Sequence, residues 1–334
     1  MDRRQCNASR YLPGSPRGHY ESYFVRANHP SRPLAFWIRY TIFSPRGFAE
    51  KAVGELWAIY FDGESGQISA SKQQVPLSVC SFSDAGLEVR VGSSTLVDGR
   101  LEGSALSPAH YLSWSLTYKG EQSPLLLLPE PAYQAGFPKA KALVGTPLAV
   151  FSGSLTVDGR PEQIDGWVGS QNHNWGGQHT DDYAWGQVAG FDDAPDAFLE
   201  CSTARVRVGP LWTPRLTLVV LRMEGREYQL NGYLQAILAQ GRFGIEQGVC
   251  RWRLESRTPT VRISAEITAP AAHFVGLRYD NPPGGFKTCL NTKLARCEVA
   301  VERPDLPPLK LTAANRAAFE ILTDRTDHGI AVVA

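Results

Sequence analysis

The sequence predicts an all-β protein of two consecutive antiparallel β domains. Three observations carry this expectation. Short runs of β-branched and aromatic residues recur along the chain, each bounded by Gly, Pro, Asn or Asp, at the spacing of an antiparallel sandwich or barrel. Helical periodicity is scarce. At 334 residues the chain exceeds what one hydrophobic core usually organises, so two domains are expected, each able to bury a core of its own.

The first elements are the stretches GHYESYFVRA from Gly18 and AFWIRYTIFSP from Ala35. Read as strands, the first places Tyr20, Ser22 and Phe24 on one face and His19, Glu21, Tyr23 and Val25 on the other. Glu21 then sits among aromatics, where burial raises a carboxyl's pKa and suits it to act as an acid. The alternative is an ion pair from Glu21 to Arg39 or another Arg across the sheet. Asp62-Gly63, Asp98-Gly99 and Asp158-Gly159 are favoured centres of tight hairpins, because both residue types tolerate positive φ. Two of these pairs lie in near-identical phrases, STLVDGR ending at Arg100 and SLTVDGR ending at Arg160, a faint hint of internal duplication. A Pro- and Gly-rich stretch from Pro124 to Pro147 breaks the strand pattern and is the best linker candidate. This puts a domain boundary near Val150, with domains at 1–150 and 151–334. Strand signals resume at Leu155–Val157, Tyr183–Val188, Ala197–Thr203, Leu216–Met223, Val249–Glu255, Val261–Ile267 and Leu290–Val301. Ala313–Leu322 reads as a helix from its alanines or as a closing strand from its alternation.

Charged residues make up 20% of the chain and the net charge is +1, so no basic field collects phosphates, and nucleic acid is not an expected partner. The arginines near the amino terminus precede no apolar core, so they do not mark a secretory signal. The longest apolar runs, at Leu125–Leu128 and Leu216–Leu221, fall far short of the ~18 residues that a membrane helix needs. A soluble, cytoplasmic protein with no integral membrane segment is expected. Six scattered cysteines read as reduced, mostly buried thiols, with Cys289 and Cys297 at most cross-strand neighbours.

The most informative window is DGWVGSQNHNWGGQHTDDYAWGQVAGF, from Asp165 to Phe191. Trp167, Trp175 and Trp185 stand there with Asn172, His173, Asn174 and Gln187. Flat aromatics beside fixed amide and imidazole groups are what a mostly apolar pocket with a few convergent polar contacts requires. Indole and phenol faces also attract a carbocation without attacking it. The bland alternative is that the tryptophans plug a core. His173 and His179 are separated by six residues through Gly176-Gly177, which matches no zinc spacing, so no metal is expected. There is no Gly-x-Ser-x-Gly elbow, no Gly-x-Gly-x-x-Gly after a strand, no phosphate-binding loop and no His-Glu-x-x-His. Hydrolase, dinucleotide and kinase readings therefore fall, and no cofactor is expected.

Four stretches in this order resemble the tocopherol cyclase-like proteins and, more distantly, the bacterial carotenoid hydratases and other two-domain lipocalin-like (calycin) proteins. They are GHYESYF with AFWIRYTIFSP, NHNWGGQHTDDYAWGQVAGF, TCLNTKLARCEVAVER and AANRAAFEIL. The second is the most specific, with its Asn-Trp-Gly, Trp, Gln and Phe pattern. The resemblance implies two consecutive lipocalin-like barrels, the second carrying the Asn-Trp-Gly motif. It also implies a prenyl-like or terpenoid alkene that is protonated in an aromatic cavity and captured by an internal hydroxyl or water. In the hydratase-like relatives an acid stands just before the motif histidine, where this chain has Asn172. An amide cannot protonate an alkene, so His173, Glu21, Asp165 or Glu200 would have to supply the proton.

Three readings of function remain. The first is a cofactor-independent cyclase- or hydratase-type enzyme with His173 and Glu21 as its first catalytic candidates. Tyr23, Trp167, Asn172, Asn174, Trp175, Trp185 and Gln187 would bind its substrate. The second is a non-catalytic carrier of a small hydrophobic molecule, and the third a scaffold whose cavities are filled by its own side chains. A buried carboxyl or imidazole aimed into the pocket favours the enzyme over the carrier.

Overall fold

The computed structural model describes residues 1–333. After a short helix α1 (Arg3–Asn7), the first sheet is built from β1 (His19–Asn28), β2 (Leu34–Ser44), β3 (Val53–Asp62), β4 (Gln67–Pro76), β5 (Cys80–Phe82) and β6 (Glu88–Val91). It continues through β7 (Ser94–Val97), β8 (Arg100–Leu106), β9 (Tyr111–Lys119), β10 (Leu125–Leu126), β11 (Ala140–Val157) and β12 (Arg160–Gly176). The second half holds β13 (Asp182–Ala189), β14 (Phe198–Arg205), a small ribbon of β15 (Arg207–Val208) and β16 (Leu211–Trp212), β17 (Leu216–Met223) and β18 (Arg226–Leu230). Helix α2 (Tyr233–Leu238) then leads to β19 (Gln240–Glu246), β20 (Val249–Arg257), β21 (Arg262–Pro270), β22 (Val275–Asp280), β23 (Phe286–Arg303) and β24 (Leu306–Thr323). No helix is long and apolar enough to cross a membrane.

The strands form a 12-stranded and a 10-stranded sheet, and every named strand pairing is antiparallel. Each sheet curls into a lipocalin-like barrel, so the expected all-β, two-barrel architecture is what the chain adopts. Both barrels follow one plan. The first strand (β1 or β13) pairs with the last (β12 or β24), and the last two strands form one long hairpin. Alternation along the strands fills each interior. Tyr23, Val25, Phe36, Phe151 and Trp167 pack inside the first barrel, and Leu199, Val219, Trp252, Ile267 and Phe319 inside the second.

The opposite faces of β1, β2, β13 and β24 pack barrel against barrel, around Trp37, Trp57, Phe61, Trp185 and Leu322. A buried polar network ties this interface together. Arg26 Nε donates to Gln187 Oε1 at 2.8 Å and its Nη1 to Asn28 Oδ1 at 2.6 Å, while Asn28 Nδ2 donates to the Lys293 carbonyl at 2.7 Å. A buried network with its partners in place fixes one docking arrangement, which an apolar contact alone would not.

Several expectations are corrected. Val150 lies inside β11, so the boundary expected there would cut a barrel; the chain passes between sheets at residues 177–181 instead, which puts the Asn-Trp-Gly motif at the end of β12 in the first barrel and not in the second. The Pro-rich stretch misled because it connects β9 to β11 within the first barrel. The two echoing phrases likewise lie in one sheet, as the hairpins β7–β8 and β11–β12, and so mark a shared turn chemistry rather than two halves. At the second hairpin Asp158 and Gly159 have φ of +51° and +82°, which is why Asp-Gly suits it. Ala313–Leu322 is strand. Cys289 and Cys297 are on the same strand, β23, and are not cross-strand neighbours. All six cysteines are free, and all but Cys80 are buried.

Candidate functional site

A cavity of about 410 Å³ lies between the barrels, a volume that suits a small organic ligand. The first barrel contributes Tyr20, Phe24, Trp37 and Arg39 to its wall, and the second Tyr183, Trp185, Glu200 and Tyr279. The Pro-rich segment closes one side with Leu127, Leu128 and Phe137, which is the role it plays in place of a linker. Helix α2 forms the rim, where Tyr233 and Ile237 are exposed. A second depression, of about 870 Å³, is lined by charged residues of β19–β21, among them Arg251, Arg253 and Glu266, and does not suit an apolar ligand.

The aromatic wall is interlocked. Phe24 meets Trp185 edge-on at 6.1 Å and Trp37 at 6.2 Å, and Tyr20 stacks on His179 at 4.0 Å. Burial, reinforced by Arg39, pushes the His179 pKa down to about 3. The ring is therefore neutral, and its Nε2–H donates to the Asp280 carbonyl at 3.2 Å.

Two carboxyls line this cavity, Glu320, which is paired with Lys293 at 2.8 Å, and Glu200, which has no such cation and is turned there by strand geometry. In β14, Leu199, Cys201 and Thr203 face the interior of the second barrel, so Glu200 and Ser202 face the first barrel. Its Oε1 accepts from Trp185 Nε1 and its Oε2 from Gln187 Nε2, each at 2.8 Å. Gln187 Nε2 also donates to Asn172 Oδ1 at 2.8 Å, so both barrels orient the acid. Burial pushes the Glu200 pKa up to about 7, against the opposing pull of these two donors and of Arg26. Near neutrality the group therefore exists in both protonation states, which a general acid requires.

Glu21 and His173 do meet, with His173 Nε2 2.8 Å from Glu21 Oε1, but on the inner face of the first barrel. His173 Nδ1 lies 2.7 Å from the Cys6 carbonyl, so both ring nitrogens face oxygen atoms. Glu21 also accepts from Ser9 Oγ, the Arg10 backbone N–H, Tyr23 Oη and His19 Nε2. Burial alone would raise this carboxyl, but the hydrogen bonds from His173 and His19 outweigh it and hold it well below the usual carboxylate range. The arrangement is an anion that anchors the amino-terminal segment over one end of the barrel. The alternative pair with Arg39 does not form, because Arg39 is cross-strand from Phe24 on the other face.

Strand parity sorts the remaining candidates. Asn172, His173, Asn174 and Trp185 line the cavity, His173 with both ring nitrogens engaged elsewhere by Cys6 and Glu21, and Asn174 Oδ1 is buried without a partner among the described residues. Gln187 stands behind them, bonded to Glu200. Trp175 faces away and packs with Cys6, Tyr133 and Leu143 beneath α1, while Tyr23 and Trp167 belong to the first barrel's core. These three are corrections to the expected binding set, and the cause is the two-residue period of β1 and β12. Arg39 and Tyr279 were not anticipated as cavity residues. Glu200 was named only as one alternative acid, yet its sequence carries a signal: a carboxyl inside the otherwise uncharged run AFLECSTA. Among the described residues no group of three or more His, Cys, Asp or Glu is placed to hold a metal ion.

No protein-family model matches the chain. Two curated relatives, uncharacterized proteins from two strains of Mycobacterium tuberculosis, are 27% identical over 184 residues, 55% of this chain and 54% of theirs. The chain thus spans about half the length of the curated relatives it matches. Among solved structures, an AttH-like protein of Nitrosomonas europaea superposes with a TM-score of 0.58 at 13% identity, covering 94% of this chain and 98% of that one. Kievitone hydratase from Nectria haematococca gives 0.55 at 12% identity, covering 96% and 98%. CghA, solved with Sch210972, gives 0.57 at 12% identity, covering 95% and 94%. At such identities these likenesses establish the fold.

Proposed function

We propose that this protein is a cofactor-independent acid catalyst of hydratase or cyclase type, acting on a prenyl-like or terpenoid alkene in the cavity between the barrels. The observation that carries this reading is Glu200, a fully buried carboxyl with its pKa pushed up to about 7, set in an aromatic wall. Protonated Glu200 delivers its proton to the alkene, and the indole of Trp185 beside it stabilises the cation that forms. Water or a hydroxyl of the substrate then captures the cation and returns a proton to the Glu200 carboxylate, so the acid is regenerated each cycle. Asn172 and Gln187 hold the carboxyl in place. Glu21 and His173, which the sequence favoured as the acid pair, act here as positioning residues for the amino-terminal segment. The kievitone hydratase fold supports the reading by analogy alone.

The test is turnover of prenyl-quinols and related polyenes by wild type and Glu200→Gln, with binding measured in parallel. Loss of about 10²- to 10⁴-fold in turnover with binding retained supports the acid role. Tight binding with no turnover by wild type would assign the cavity to carriage instead.

A further inference from the structure

We propose that the ligand of this cavity is an amphipathic acid, an apolar chain whose carboxylate pairs with the guanidinium of Arg39. The assignment rests on the cavity being the ligand site proposed above, and it narrows the substrate class there.

The reasoning begins with the charges buried around the barrel interface. Arg26 donates to Gln187 and Asn28, and Lys293 Nζ lies 2.8 Å from Glu320 Oε1 and 2.6 Å from Asn291 Oδ1. Lys141 Nζ donates to the carbonyls of Ala135 and Pro138 at 2.8 and 2.7 Å. Lys287 Nζ meets Asp324 at 2.7 Å. Each of these cations has acceptors matched to it.

Arg39 does not. It is 4% exposed, and the one hydrogen bond it makes among the described residues runs from Nη2 to Ser22 Oγ at 2.6 Å. Its Nε is buried without a partner, and no described carboxylate lies within 4.0 Å of it. Glu55 and Glu320 act on it by charge only, and each already has its own cation, Lys72 at 3.2 Å and Lys293 at 2.8 Å. A buried guanidinium with an unused donor edge is costly unless an acceptor arrives. Two residues earlier on the same face of β2, Trp37 also lines the cavity, and its Nε1–H is likewise buried without a partner. Two neighbouring orphan donors, one of them charged, match the two oxygens of a carboxylate.

The surroundings pre-orient the group. The Tyr279 ring lies 4.5 Å from the guanidinium carbon and the Trp37 ring 5.8 Å. Arg39 is cross-strand from Phe24, Phe24 is edge-on to Trp185, and Trp185 donates to Glu200. The cavity thus carries a cationic anchor at Arg39 and a protonatable acid at Glu200, joined by an aromatic surface, while its other charged groups, Glu320, Lys141 and Arg205, have partners of their own in Lys293, the Ala135 carbonyl and Asp182. A ligand held by its carboxylate at Arg39 lays its hydrocarbon along Phe24 and Trp185 toward Glu200.

The experiment is a fluorescence titration with cis-parinaric acid and its methyl ester at pH 8, using wild type, Arg39→Met and Arg39→Lys, each checked for folding by circular dichroism. Wild type binds the acid at least ~10-fold tighter than the ester, as expected for a charge-assisted contact. In Arg39→Met that ratio falls to about one with the ester still bound, and Arg39→Lys keeps part of it. Should Arg39→Met fail to fold, the wild-type ratio and Arg39→Lys still decide. Equal affinity for acid and ester in wild type, or a preference that survives Arg39→Met, overturns the carboxylate assignment alone. Binding of neither probe overturns the cavity reading and this assignment with it.

Discussion

Two buried glutamates, one on each barrel, are shifted in opposite directions by their neighbours. Glu21 gathers donors from five residues, two of them histidines, and stays ionised, whereas Glu200 receives only an indole and an amide N–H. Their stability signatures therefore have opposite signs. The folded pKa of Glu200, about 7, lies above its ordinary 4.5, so the stability linked to its protonation is complete below about pH 4.5 and is lost as pH rises through 7. That loss amounts to about 3 kcal/mol, and Glu200→Gln should lack it when urea unfolding is followed from pH 4.5 to 8. The folded pKa of Glu21 is lowered, so its contribution is present above the ordinary carboxylate value and disappears on acidification. Glu21→Gln should cost about 3–5 kcal/mol at pH 7, because it removes the buried carboxylate on which these donors converge, and the deficit should shrink toward acid in the same unfolding assay. Sequence reasoning brought Glu21 and His173 together correctly. It could not see the Ser9, Arg10 and Cys6 groups that complete their partners, because those come from a segment with no strand pattern.

At the scale of single elements, the two-residue period of β12 decides which part of the Asn-Trp-Gly motif reaches the cavity. Asn172 and Asn174 point to the second barrel, and His173 and Trp175 to the first barrel's interior side. Trp175→Ala and Trp185→Ala should each destabilise by about 3–5 kcal/mol in thermal or urea unfolding. Only Trp185→Ala should also weaken binding of a polyene probe, since Trp185 lines the cavity and Trp175 packs under α1. Equal binding losses in both would contradict the parity assignment. The strands were legible wherever alternation or Asp-Gly turns marked them, as at β1, β2 and the β11–β12 hairpin. Strand β19, QGRFGIE, and helix α2, YLQAIL, carry no such mark and were missed. The first holds two glycines and two charges, and the second is too short to show a helical period.

On the scale of the whole molecule, each barrel interior is filled by its own side chains and the aromatic cavity lies in the contact between them. Such a place is one that no single-strand pattern reveals. It depends on which outer faces meet, and that is set by the Arg26, Asn28, Gln187 and Asn172 network across the interface. Because the chain crosses between sheets at residues 177–181, fragments that meet at Gln178 should reassemble on co-expression, whereas fragments that meet at Val150 divide β11 and should not. Size-exclusion chromatography of the co-expressed pairs checks this. The central claim is that the inter-barrel cavity presents a carboxyl able to hold its proton near neutrality. Difference infrared spectroscopy of the carboxyl C=O band, wild type minus Glu200→Gln, over pH 4 to 9 measures this directly. A protonated-carboxyl band assigned to Glu200 with its midpoint near pH 7 is the predicted result, and a band that has vanished by pH 5 would contradict the account.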